Sequence, residues 1–363
     1  MQKVRVGVVG LGEVAQIIHL PILQALADRY EIAALCDVSP GLLAAMGERY
    51  RVPEERRYAD AHALAADPNL DAVFVLNSDE YHAEHAIAAL DGGKHVLVEK
   101  PMCISPREAE AMIAARDASG RQLMVAYMRR FAPAFAQAKE DVARLPRINY
   151  ARIRDIIGAN RLIIDQSSVV LRFDDIPAPL MQDRTDRARK LVAEAIGDAP
   201  ADLAGTYRLL LGLGSHDLSA MRELLGHPQR VIAASCWHGG KAIAAILQFD
   251  GYCATYETLV DQQRRFDAHI EVYGDETSLR IQYDTPYIRH LPTTLVTNET
   301  RGEAYTETTL RPTFKDPYTH ELEAFHDAVT GGAGPKTTAE DYAEDLRLFR
   351  DIVDALRASA AAA

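Results

Sequence analysis

Val4-Arg5-Val6-Gly7-Val8-Val9 leads into Gly10-Leu11-Gly12-Glu13-Val14-Ala15, an apolar-periodic run through Ile17, Ile18, Leu23 and Leu26, and then Ile32-Ala33-Ala34-Leu35-Cys36-Asp37. The β-branched opening predicts a short strand. The run after the glycines predicts a helix, and a second strand follows it. Strand, glycine turn, helix, strand and acid come in the order of a dinucleotide-binding βαβ unit. Gly10 allows the tight turn out of the strand. Gly12 has no Cβ to hold the backbone away from a pyrophosphate, and Ala15 is small enough for close helix–strand packing. The helix N-terminus points free N–H groups and the positive end of its dipole at the phosphates. Asp37, twenty-five residues after Gly12, accepts hydrogen bonds from ribose hydroxyls and repels a 2′-phosphate. Val38, Ser39 and Pro40 follow it, with no arginine, which favours NAD over NADP.

Working outward, strands keep alternating with helices. Pro40 to Tyr50 and Ala61 to Ala66 read as helices, and Asp71 to Leu76 as a buried strand. Tyr81 to Leu90 is helical and stops at Gly92-Gly93. His95-Val96-Leu97-Val98 is a strand that ends at Glu99-Lys100-Pro101. Ser105-Pro106-Arg107-Glu108 opens a helix with a capping box, and Gln122 to Ala126 is the next strand. A doubly wound parallel sheet binds ligands beyond the carboxyl ends of its strands. Gly10 to Ala15, Asn77 to His82, Glu99 to Pro101 and Tyr127 to Arg129 therefore share one rim.

Past Pro133 the pattern changes. A helix to Arg144 and a strand over Asn149 to Ile157 precede a stretch, Gly158 to Leu203, without clear strand order. Its charged run Arg184 to Ile196 reads as a helix with a solvated face. Leu209 to His216 opens a helix that ends at Gly226. Five strands are predicted over Arg230–Trp237, Ala242–Phe249, Cys253–Val260, His269–Tyr273 and Ser278–Tyr283, and helices over Tyr318–Val329 and Thr338–Leu356 close the chain. The expected fold class is α/β: a Rossmann domain over 1–127, then an α/β domain over 128–363 with a large open, mostly antiparallel sheet. Its C-terminal helices are free to pack back on the first domain.

The 363 residues suit two domains, and 48% hydrophobic with 25% charged residues is an ordinary globular composition. A net charge of −12 argues against nucleic acid or an anionic membrane surface as partner. Cys36, Cys103, Cys236 and Cys253 form no C-x-x-C pair, so no metal site is expected and buried reduced thiols are. No apolar run has membrane-spanning length. Lys3 before an apolar stretch superficially suggests a leader, but Gly10, Gly12, Glu13, His19 and Pro21 interrupt it; a cytoplasmic protein is expected.

Several spaced pieces resemble the Gfo/Idh/MocA oxidoreductases, the glucose–fructose oxidoreductase and inositol dehydrogenase group. They are Gly10 to Ala15, Asn77 with His82-Ala83-Glu84, Lys94 to Pro101, Tyr127-Met128-Arg129-Arg130-Phe131, Gly214-Ser215-His216-Asp217, Glu321 to Phe325 and Glu340-Asp341. The resemblance spans nearly the whole chain and is weakest between Gly158 and Leu203. It implies NAD(P)-dependent oxidation of a sugar or cyclitol hydroxyl, or the reverse reduction, in a homo-oligomer (dimer or tetramer). It implies Lys100 as acid/base, since a lysine beside NAD⁺ in a closed site can titrate near operating pH. His216 would orient the reacting oxygen, with Tyr127 and Arg129 on the substrate side. Gly10, Gly12, Glu13, Val14, Asp37, Asn77, His82, Glu99 and Lys100 would hold the coenzyme.

The family often carries an aspartate four residues before that histidine, where this chain has Gly212. Asp217 is a poor substitute, because adjacent helical residues point apart. Two other functions stay open at this stage. One is a tightly bound NAD used for internal redox during glycoside cleavage or elimination. The other is a non-catalytic NAD-binding regulator. Arg152, Arg154, Arg161 and Arg172 are expected at the surface rather than in an acidic-substrate pocket.

Overall fold

The structure, a computed structural model, describes residues 3–361. The first part of the chain alternates as the sequence requires. Its elements are β1 Val4–Val9, α1 Leu20–Ala25, β2 Tyr30–Cys36, α2 Pro40–Tyr50, β3 Arg57–Tyr58, α3 Ala61–Ala65, β4 Ala72–Val75, α4 His82–Asp91, β5 His95–Glu99, α5 Pro106–Ser119 and β6 Leu123–Ala126. The six strands form one parallel sheet in the order β3-β2-β1-β4-β5-β6. β4 is buried along its whole length, as its continuous apolar run demands. Two-residue β3 is the one strand of this sheet that the sequence pattern did not announce.

Local chemistry sets the element ends. A π turn over Ala15–His19 precedes α1. It falls just before Pro21, which has no N–H to donate to the turn behind it. Ser39 caps α2, its Oγ accepting from Leu42 N at 3.1 Å, with Pro40 at the first helical position. Ser105 and Glu108 form the expected capping box of α5.

Beyond β6 come α6 Pro133–Val142, β7 Tyr150–Gly158, α7 Arg161–Ser167, α8 Ala178–Ile196, α9 Ala201–Leu209 and α10 Ser215–Leu225. The strands β8 Arg230–Trp237, β9 Ala242–Gln248, β10 Cys253–Asp261, β11 Phe266–Tyr273, β12 Thr277–Tyr283, β13 Thr294–Arg301 and β14 Ala304–Leu310 follow. α11 Pro317–Val329 and α12 Ala339–Ala361 complete the order. The second sheet runs β14-β13-β12-β11-β7-β10-β9-β8, antiparallel except for the β7–β10 pair. β13 and β14 go beyond the five strands expected. Along β7, buried Ala151, Ile153, Asp155 and Ile157 alternate with Arg152 and Arg154 on the opposite face. There Arg152 pairs with Glu257 at 3.3 Å and Arg154 with Asp267 at 2.8 Å.

The chain forms two compact units. One comprises the residues up to Ala126 together with 168–195 and 321–346; the other comprises 127–167, 196–320 and the residues from Arg347 onward. In the first unit the C-terminal segment completes the Rossmann core. Phe325 meets Phe74 edge-on at 5.4 Å, and Tyr30 Oη donates to Leu322 O at 2.5 Å. Thr337 lies along β6: Val125 N donates to Thr337 O at 3.0 Å, and Thr337 Oγ1 to Val125 O at 2.6 Å.

The 168–195 segment is also fastened to the Rossmann unit. The expected solvated helix there starts earlier, at Ala178, and only part of it is solvated. Tyr81 Oη donates to Asp183 at 2.6 Å, and Arg187 pairs with Glu84 at 2.5 Å while lying over the Tyr81 ring at 4.5 Å. Glu194 accepts from Ser105 Oγ at 2.9 Å and from Arg107 at 2.8 Å. Charged side chains on one edge of α8 thus dock it, a role that charge patterning alone does not distinguish from solvation.

Candidate active site

At the exit of β1, Gly10 adopts φ +90° and donates to Cys36 O at 2.8 Å. A Cβ on Gly10 would stand 2.5 Å from the backbone of Asn77, so only glycine allows the β1 and β4 loops to meet. At Gly12 the space a Cβ would enter is open to 4 Å. Asp37, just past β2, accepts from Leu11 N at 2.7 Å and from Ser39 N at 2.9 Å. Burial pushes its pKa up, those two amides pull it back, and the nearby charge of Asp175 raises it further.

Gly10, Gly12, Glu13, Asp37 and Asn77 line one cavity of about 400 Å³, within the range of small-molecule sites. Val14 lies in the following helical turn and is not part of that lining. Asn77 Oδ1 is buried there without a protein partner, an acceptor left for a ligand. A second cavity of about 390 Å³ shares Gly10, Asp37 and Asn77 and extends past Val38 to Tyr81 and His85. His85 stacks on Tyr81 at 5.8 Å. Burial lowers its pKa to about 4, so this ring is neutral at pH 7. The open Gly12 cradle, the Asp37 carboxylate and the lone Asn77 acceptor fit a dinucleotide.

Glu99, Lys100 and Pro101 end β5, and the Lys100–Pro101 peptide is cis. Glu99 is buried, pairs with His19 Nε2 at 2.8 Å and accepts from Lys100 N at 3.1 Å. Burial alone would raise its pKa. The hydrogen bond from His19 and the charges of His19, Lys100 and His82 outweigh that and hold it below the usual range. The His82 ring sits 2.7 Å from Pro101 O and 2.9 Å from Asn77 O, and so ties the β4 and β5 loops together.

The second unit holds the other expected residues. Tyr127 is buried, with the Arg130 guanidinium over its ring at 5.8 Å. Arg129, expected against substrate, is buried between Asp155 Oδ2 at 2.9 Å and the Asp217 carboxylate, with the Tyr283 ring 4.9 Å away. Burial would lower its pKa, but the two carboxylates win and raise it. Asp217 is driven well above the carboxylate range by burial and by the charge of Asp155, only partly relieved by Arg129.

His216 is partly exposed in the first turn of α10, after a π turn over Leu210–Gly214. A side chain at Gly214 would strike Tyr256 Oη at 2.6 Å, whereas nothing lies within 4 Å of a Cβ at Gly212. Arg161 pairs with Asp165 at 3.1 Å on the surface, and Arg172 of the first unit with Glu13 at 2.8 Å. Among the described residues no group of three or more His, Cys, Asp or Glu could hold a metal ion. All four cysteines are free, and burial pushes the Cys36 thiol up to about 12.

Two family models match: an oxidoreductase family, NAD-binding Rossmann fold, over residues 4–127, and an oxidoreductase family, C-terminal alpha/beta domain, over residues 204–361. The chain belongs to the Gfo/Idh/MocA oxidoreductase family. Similar members include the D-xylose 1-dehydrogenase (NADP(+)) 2 of Haloferax volcanii, 28% identical with 98% of each chain covered. The myo-inositol 2-dehydrogenase of Thermotoga maritima is 28% identical over 93% of this chain and 91% of that one. The aldose-aldose oxidoreductase of Caulobacter crescentus shares the fold at 23% identity, with a TM-score of 0.73 over 99% of this chain and 98% of that one. No described helix is long and apolar enough to cross a membrane. Residues 128–203 lie outside both family matches.

That unmatched stretch carries contacts the sequence did not reveal in this Gfo/Idh/MocA chain. Gln16 brackets the Leu171 peptide, its Nε2 donating to Leu171 O at 3.1 Å and its Oε1 accepting from Leu171 N at 2.9 Å. Leu171, Phe173 and Ile176 supply another wall of the glycine-lined cavity. An isolated glutamine at Gln16 carries no pattern that names a partner 155 residues away.

Proposed function

We propose that this oxidoreductase is an NAD-dependent dehydrogenase or reductase acting on a CH–OH group of a sugar, glycoside or cyclitol, or on the corresponding ketone. The observation that carries the reading is the glycine-walled cavity with Asp37 and Asn77 on its rim and Glu99-Lys100-Pro101 on a neighbouring strand end. The xylose and inositol dehydrogenases among its relatives support the substrate class. The nicotinamide supplies the hydride acceptor or donor at its C4. Lys100 takes the hydroxyl proton in the oxidation direction and returns it in reduction. His216 orients the reacting oxygen. Glu99, held anionic by His19, fixes the Lys100 backbone through its amide. The Haloferax relative is named for NADP, whereas Asp37 here supports NAD. A cytoplasmic homo-oligomer completes the proposal.

The test is NADH absorbance with NAD⁺ and a panel of sugars, inositols and glycosides, with Lys100→Met as control. Lys100-dependent NADH formation supports the reading. Silence across the panel, with NAD⁺ shown to bind, overturns it. It would favour a retained coenzyme that cycles internally or a non-catalytic NAD-binding regulator, and the cavity wall built by Val170 to Phe173 with Ile176 lends weight to the first.

A further inference from the structure

The segment that neither family model covers reaches the place where the two nicotinamide coenzymes differ. NAD and NADP are identical except at the adenosine 2′ position. In a βαβ unit that position lies beside the acid closing the second strand, here Asp37. The donors available next to it are at the start of α2: the Ser39 hydroxyl and the Gly41 amide, since Pro40 has no N–H and Leu42 N is already bonded to Ser39 Oγ. A 2′-phosphate needs such donors.

Asp175 takes them. Its Oδ1 accepts from Ser39 Oγ at 2.5 Å and its Oδ2 from Gly41 N at 2.7 Å. These bonds hold the Asp175 carboxyl below its usual range, so it stays charged. The approach is built in, because a Cβ on Gly41 would lie 2.7 Å from the Phe173 ring and 2.9 Å from Asp175 Oδ2. The chain on either side is anchored too, by Gln16 on Leu171, Arg172 on Glu13 and Tyr81 on Asp183. A resident carboxylate thus sits where the extra phosphate would be received, and its charge bears on Asp37.

We propose that Asp175 is a second coenzyme-specificity residue, which excludes a 2′-phosphate by occupying the Ser39 and Gly41 donors and adding a negative charge beside Asp37. The proposal rests on the dinucleotide reading of the site and goes beyond it. Asp37 alone makes the 2′ position unfavourable to phosphate. Asp175 removes the partners a phosphate would use, so Asp37→Ser by itself leaves NADP poorly bound.

Equilibrium binding to the full-length protein tests this without any turnover. Kd values for NAD⁺ and for NADP⁺ are measured by calorimetry on the wild type, Asp175→Ala, Asp175→Asn, Asp37→Ser and the Asp37→Ser/Asp175→Ala pair. The wild type prefers NAD⁺. Asp175→Ala tightens NADP⁺ about tenfold, the scale of one freed helix-terminus site with charge-assisted hydrogen bonds. NAD⁺ binding stays within about threefold on the same scale. Asp175→Asn, which keeps the shape but loses the charge, falls between, and the double variant exceeds either single one. Gly41→Ala, which pushes the segment off, shifts the ratio in the same direction. An unchanged NADP⁺/NAD⁺ ratio in Asp175→Ala overturns the proposal. So does equal weakening of both coenzymes, which would make Asp175 a fastening only. A wild type that binds neither dinucleotide instead overturns the underlying reading of the site.

Discussion

Glu99 and Asp217 are both buried carboxylates, one in each unit, yet their surroundings drive them in opposite directions. Glu99 meets a hydrogen bond from His19 with Lys100 and His82 close by, and it stays anionic despite complete burial. Asp217 shares the Arg129 cation with a second carboxylate, Asp155, and its pKa is pushed well up. Desolvation is the largest influence on each; the ratio of cations to carboxylates decides the sign. The first cluster sits against a strand end bearing an expected catalytic lysine. The second closes on itself inside the other unit, with Tyr283 over its guanidinium. On the proposed function, the first cluster serves the chemistry and the second holds the fold.

The largest separation of the two roles comes from removing each cluster's cation. Lys100→Met should lower kcat a hundredfold to ten-thousandfold, the range of a lost general acid/base, with the thermal midpoint unmoved. A large stability loss in this variant would dissolve the distinction. Arg129→Met should do the reverse. It leaves Asp155 and Asp217 buried without their cation and should cost about 3–5 kcal/mol in urea unfolding. Arg129→Lys should recover only part of that, because it lacks the planar fork.

Unfolding across pH sharpens the contrast further. A depressed pKa in the folded state gives Glu99 a stabilising share that is present above 4.5 and lost as pH falls through the folded value. The advantage of wild type over Glu99→Gln should therefore shrink in acid. Asp217 has the opposite sign. Its share is present below 3.8 and lost as pH rises through the folded value. Asp217→Asn, close in shape to the protonated acid, should cost under about 1 kcal/mol at low pH. It should gain on wild type as pH rises. Parallel slopes for the two variants would refute the assignment of charge.

The smallest expected effect is at Gly212, where a side chain meets open space. Gly212→Asp should change stability by less than about 1 kcal/mol, with Asp better tolerated than Gly in helical backbone. It places a carboxylate four residues before His216, where the family resemblance leads one to expect it. A changed substrate profile in the absorbance panel, with the thermal midpoint unmoved, would show that the glycine sets specificity.

Most of the Rossmann half was legible because its signals are local. β1 and α2 match their expected bounds, and the Ser105 capping box forms as written. Gly10 announces a position that only glycine fills. The stretch from Gly158 to Leu203 was opaque for the opposite reason. Its fastenings are single side chains reaching more than a hundred residues, such as Gln16 to Leu171 and Asp175 to Ser39, and no periodicity encodes them. α8 shows the same limit. Its i,i+4 pair Arg187–Asp183 reads as solvated decoration, while both residues also hold the Rossmann unit. The ion pairs of Arg129 were not legible because its two partners arrive from β7 and α10, beyond the reach of any local motif.

The contact between Thr337 and Val125 has a consequence for how the chain is made. β6 is an outer strand, and the unpaired N–H and C=O groups of an outer strand are a template for a stranger's backbone. Thr337 fills both of these groups on Val125, from 212 residues further along the chain. On the ribosome, the first sheet emerges with that margin bare. It stays bare until another 212 residues have been synthesised, so the guard against mispairing arrives long after the strand it protects.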